Sequence, residues 1–136
     1  MNIIKLVLGA CSTNVYIVSS NKKNAILIDP ADNAAEIIKT IEENGLCLKY
    51  IFITHGHTDG SMAIIVNDNI FSGDTIMFEK HGKTSLPGGN EKLLISSIEK
   101  MMDTLIGDYK IYPGHRQETS LDYERKCRLS TVITGY

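Results

Sequence analysis

The sequence predicts a mixed α/β (α+β) domain, and three observations predict it. Short β-rich apolar runs alternate with stretches whose apolar residues recur every three or four positions. Clusters of Gly, Asn, Asp and Ser punctuate the boundaries between them. The chain has 136 residues, 43% of them hydrophobic and 22% charged, which suits one real core and is short for two ordinary domains. Residues 1–136 therefore read as a single domain, with no low-complexity tract, linker or sequence repeat.

The elements follow in order. Residues 3–8 read as a buried first strand and residues 9–14 as a small-residue loop. Residues 15–18 and 25–28 are strands joined by a polar turn. Asn33 with Glu36 three positions on makes a capping-box-like helix start. Ala34, Ile37, Ile38 and Ile41 then share a helical face, and Gly45 is the expected stop. Residues 50–54 form a short strand that ends in a His, Gly and Asp cluster. Residues 62–66 and 70–71 form a hairpin around Asn67, Asp68 and Asn69. After a Gly-rich loop over 79–90, Asn90 caps a helix whose apolar positions are Leu94, Ile98, Met101 and Leu105. Residues 110–112 are a last strand, and Thr119 caps a final helix through Arg128.

Composition excludes some functions. Lys plus Arg number 14 and Asp plus Glu 16, a net charge of -2, which lacks the basic excess of a nucleic-acid binder. No apolar run approaches the roughly 20 residues that span a bilayer, so no membrane partner is expected. Cys11, Cys47 and Cys127 form no CxxC pair, which argues against a disulfide scaffold or a cysteine zinc site and for reduced thiols in the cytoplasm. Residues 6–11 look like a lipoprotein cleavage box, but Lys5 leaves too short an apolar segment for a signal.

The chemistry lies at three strand ends. Thr54-His55-Gly56-His57-Thr58-Asp59 puts two imidazoles and a carboxylate on one tight turn, a donor set that suits zinc, iron or manganese. Asp74 and His115, each just past another short strand, can close the site. Singly these residues read as turn or surface residues, and their weight comes from the set. His81 reads as a surface residue and Tyr112 as packing.

These motifs, with Phe71-Ser72-Gly73-Asp74-Thr75 and Tyr112-Pro113-Gly114-His115, resemble the metallo-β-lactamase superfamily and its glyoxalase II-like hydrolases. Asn14-Val15-Tyr16, Ile28-Asp29-Pro30 and Gly82-Lys83-Thr84 extend the resemblance over nearly the whole chain. Two departures stand out. Gly60 occupies the last His of the family's HxHxDH, and the long segment leading to the family's TPGHTxGS motif is absent. Residues 54–61 fit both motifs at once, as though an internal deletion had fused them.

The resemblance implies a shortened αββα sandwich. It places His55 and His57 on a first metal, Asp59 and His115 on a second, and Asp74 between them. Five ligands suffice for one well-held zinc and are marginal for two. Iron or manganese would fit the same donors. It further implies hydrolysis of an ester or thioester in a small-molecule substrate, with Asp59 catalytic and Lys83 at a substrate-binding basic position. The competing expectation is a catalytically degenerate member that works as a binding or interaction module. A deletion of this kind exposes apolar sheet surface and a strand edge, which a homodimer, with or without strand exchange, would cover.

Overall fold

The computed structural model describes residues 1–20, 23–54, 62–85 and 89–134, with side chains through Arg128. Among the described residues it is a mixed α/β chain of two four-stranded sheets and three helices, in two compact units, Met1–Thr54 and His55–Tyr136. No helix among the described residues is long and apolar enough to cross a membrane.

The first unit contains β1 (Asn2–Leu8), β2 (Thr13–Ser19), β3 (Asn24–Ile28), α1 (Ala34–Glu43) and β4 (Cys47–Phe52), in the sheet order β1-β2-β3-β4. The first two pairings are antiparallel. β4 runs parallel to β3, because α1 carries the chain back across the sheet. Strand alternation sends Val15 and Ile17 to the face that packs with Leu8, Ala25, Leu27 and Ile37 of α1. Tyr16 and Val18 point to the opposite face and are buried too. β1, read as buried, is an edge strand with mostly half-buried side chains.

Two sequence readings of this unit change. Asn33 does precede α1, but at φ 63° its side chain makes no bond to the helix backbone. In that left-handed conformation the amide donates instead to Glu36 Oε2 at 2.8 Å, so the capping box becomes a side-chain pair. β4 begins at Cys47 rather than at residue 50, because pairing with β3 from Asn24↔Cys47 onward sets its length. The C-terminal stop is as expected. Gly45, at φ +59°, donates to Glu42 C=O at 2.9 Å, and Leu46 N–H donates to Ile41 C=O at 2.9 Å, which makes a Schellman closure.

The second unit contains β5 (Ile64–Val66), β6 (Asn69–Gly73), α2 (Glu91–Thr104), β7 (Lys110–Pro113), β8 (Thr119–Ser120) and α3 (Leu121–Thr134), in the sheet order β5-β6-β7-β8. A two-residue turn, Asn67-Asp68, closes the β5–β6 hairpin, with Asn67 at φ 53° as such turns require. β7 is parallel to β6, with α2 as the crossover. The core joins Ile70, Ile76, Ile98, Met102, Ile111 and Leu121. Asn90 caps α2 by accepting Leu93 N–H at 3.2 Å. Thr119, expected to cap the last helix, lies in β8 and donates to Glu124 Oε1 at 2.8 Å. The hydroxyl that receives Tyr123 N–H is that of Ser120, at 3.3 Å. Cys11, Cys47 and Cys127 form no disulfide.

Side chains tie the helices of this unit together. The Arg125 guanidinium donates to Met102 C=O at 2.8 Å, to Gly107 C=O at 2.9 Å and to Leu105 C=O, the carbonyls exposed at the end of α2. Glu124, buried in α3, accepts Glu79 N–H at 3.1 Å. The Tyr123 hydroxyl donates to Glu79 Oε1 at 2.6 Å. That bond, followed by a contact with Cys127, holds the phenol well above its ordinary pKa.

Candidate metal centre

The segment after β4 begins from a clamped residue. Asp29 follows β3 and is 4% exposed, with φ 54°. Its N–H donates to Phe52 C=O at 2.8 Å, which keeps β3 and β4 in register to their ends. Its carboxylate accepts both the N–H and the hydroxyl of Thr54. Thr54 is 1% exposed, so both donors are satisfied away from water, and the chain leaves this clamp directly into His55. Neither Asp29 nor Thr54 was assigned a role from the sequence. The available signal was an Asp closing one apolar run and a Thr closing the next.

His55, His57 and Asp59 lie outside the described residues. Asp74 and His115 are described, and the fold brings them together. Gly114 N–H donates to Gly73 C=O at 2.8 Å, setting the end of β7 against the end of β6. The next residue on each side is His115 or Asp74, and His115 Nε2 stands 3.8 Å from Asp74 Oδ1. Both side chains are largely buried, at 29% and 13% exposure.

The separation is too long for a hydrogen bond. It falls within the roughly 4.2 Å that two ligands can span when each is about 2.1 Å from one ion. An imidazole nitrogen and a carboxylate oxygen so placed fit a zinc, iron or manganese ion. Among the described residues no third His, Cys, Asp or Glu joins them.

The loop over residues 79–85 presses against Asp74. Gly82 N–H donates to Asp74 C=O at 2.7 Å, and a Cβ at position 82 would stand 2.8 Å from that oxygen and 2.9 Å from Asp74 Cβ. Only glycine permits this approach. Lys83 follows, exposed, within two residues of the carboxylate's neighbour. His81 Nδ1 lies 3.0 Å from Gly82 C=O, and Tyr112 packs on Phe71 at 5.1 Å between ring centroids, so the sequence reading of Tyr112 as packing holds.

The family model described as "Metallo-beta-lactamase superfamily" matches residues 8–59. A protein named a probable metallo-hydrolase of Streptococcus pyogenes is 28% identical over 104 residues, 75% of this chain and 44% of its own length. The hydroxyacylglutathione hydrolase GloC of Haemophilus influenzae is 33% identical over 92 residues, 68% of this chain and 38% of its own. The chain thus spans less than half the length of these curated relatives. The crystal structure of ETHE1 from Myxococcus xanthus superposes with a TM-score of 0.86 at 22% identity, over 93% of this chain and 82% of the other.

Proposed function

The chain belongs to the metallo-β-lactamase superfamily, and from that premise we propose that it is a metal-dependent hydrolase of the glyoxalase II-like type, acting on an ester or thioester. The observation that carries this reading is the approach of His115 to Asp74 at 3.8 Å on two adjoining strand ends. In this reading Asp74 and His115 would hold the ion, and His55, His57 and Asp59 would supply the remaining donors. When bound, the ion supplies Lewis acidity, which makes hydroxide available near neutral pH and polarises a substrate carbonyl.

The chain's own residues do the rest. Asp29, through Thr54, fixes where the His-bearing turn starts. Gly82 lets its loop close on Asp74, and in this reading the exposed Lys83 next to it meets an anionic part of the substrate. Asp59 either joins the ion's donors or orients the attacking water, and not both freely. The five-donor set favours one zinc, with iron or manganese as substitutes.

Elemental analysis of the purified chain, run beside a thioester hydrolysis assay, tests this. The expected result is about one equivalent of metal and hydrolysis that His55→Ala abolishes along with the metal. A folded, metal-free chain with no hydrolysis would replace this reading with that of a binding module.

A further inference from the structure

The sheet of the first unit ends on β4, and among the described residues no strand pairs with its outer side. That edge is apolar and open to solvent: Tyr50 is 66% exposed, Ile51 57% and Ile53 65%. From Cys47 to Thr54 the only charged side chain is Lys49. Alternation places Tyr50 beside Phe52 on one face, with ring centroids 6.2 Å apart, and Ile51 on the other. A partner laid on one face would leave the other wet, whereas a strand alongside covers both.

The backbone is poised for such a strand. Phe52 C=O accepts from Asp29 N–H, so Phe52 directs its backbone groups toward β3. Ile51, one residue earlier, directs its own toward the open edge, while Lys49 sits at a register irregularity of the β3–β4 ladder.

We infer that β4 pairs antiparallel with β4 of a second copy about a two-fold axis through Ile51. This register sets Ile51 opposite the partner's Ile51 in a hydrogen-bonded pair. It sets Tyr50 opposite the partner's Phe52 in the closer, non-hydrogen-bonded pair, and aromatic cross-strand pairs are among the favoured ones. Lys49 sits at the irregularity, two residues from the axis, so the two lysines are not opposed. The area matches a dimer. The three exposed side chains offer on the order of 400 Å², against the roughly 450 Å² of apolar surface in one side of a standard interface. Pairing β4 with itself also closes, whereas pairing it with the sheet's other edge, β1, would propagate into filaments. The pairing would brace β4 two residues before Thr54, the start of the His-bearing turn. It rests on the exposed edge alone and does not depend on the proposed hydrolysis.

Sedimentation equilibrium of the 136-residue chain at tens of micromolar should give twice the monomer mass of 15.1 kDa. Ile51→Lys, which sets two like charges face to face on the axis, should weaken the dimer at least ~100-fold. Ile38→Lys, on the exposed side of α1, should leave the dimer intact. To separate lost pairing from lost folding, Ile51→Cys is introduced with Cys11→Ser, Cys47→Ser and Cys127→Ser. Opposed Cα atoms about 5.5 Å apart should then cross-link two chains on oxidation. A monomer at these concentrations, a dimer indifferent to Ile51→Lys, or failure to cross-link would overturn the proposal.

Discussion

Two stretches of this chain follow one plan and put the same residue type to different ends. In the first, β2 and β3 pair antiparallel, Asp29 follows β3, α1 crosses over, and β4 returns parallel to β3. In the second, β5 and β6 pair antiparallel, Asp74 follows β6, α2 crosses over, and β7 returns parallel to β6. The repeat is one of topology, invisible as sequence identity. The Asp29 carboxylate receives the N–H and hydroxyl of Thr54 and ties two strand ends together in a buried setting. The Asp74 carboxylate instead faces an imidazole at 3.8 Å. What the returning strand delivers makes the difference. Thr54 offers two short-range donors. Pro113-Gly114-His115 brings a ring nitrogen on a longer arm. A carboxylate at a strand end thus becomes a clamp or the partner of an imidazole according to its neighbour.

The sharpest way to break that comparison is to neutralise each carboxylate in turn. Asp74→Asn should lower hydrolysis and metal affinity more than ~100-fold, beyond the usual cost of losing a supporting group, while urea unfolding shifts by under about 1 kcal/mol. Asp29→Ala should do the reverse. Leaving the Thr54 N–H and hydroxyl unpaired and buried should cost about 3 kcal/mol in the same unfolding measurement. If both variants lost metal equally and stability equally, the two aspartates would not differ in role.

In the second unit the Arg125 side chain holds the backbone at the end of α2. Arg125→Ala should therefore cost about 1–2 kcal/mol, by freeing the carbonyls at the end of α2, with faster amide exchange there as its local signature. The smallest effect is expected at the surface. Lys110 and Glu118 stand 2.7 Å apart, and Lys110 is more than half exposed. Glu118→Gln should cost no more than about 0.5 kcal/mol. The hydrogen bond to Glu118 raises the Lys110 pKa. A raised pKa on a cation contributes stability below its unfolded value, and that contribution disappears as pH rises through the folded value. Wild type and variant should accordingly converge at alkaline pH and differ at neutral pH.

Much of this was legible in the residues, for reasons that are local. Period-two and period-3.6 apolar patterns located the strands and helices, Gly45 and Asn90 marked ends that the backbone uses, and the Asp74 and His115 motifs named a pair that does meet. Other features depended on partners distant in sequence. The length of β4 follows from its pairing with β3. Asn33 lost its capping role to a left-handed backbone, and Ser120 took the role assigned to Thr119 because β7 drew Thr119 into the sheet. Met102 joined the core beside the expected Ile98 once α2 met Leu121.

The sequence by itself determined the element types, the chemistry of the donors and the strand ends that carry them, because these depend on side-chain identity and short-range spacing. Only the tertiary structure decided that Asp29 is a clamp, that Gly82 touches Asp74 and that β4 lies at an open edge. Those facts depend on which backbone segments lie side by side, and parallel pairing through a crossover joins residues 23 to 41 positions apart that no local pattern connects.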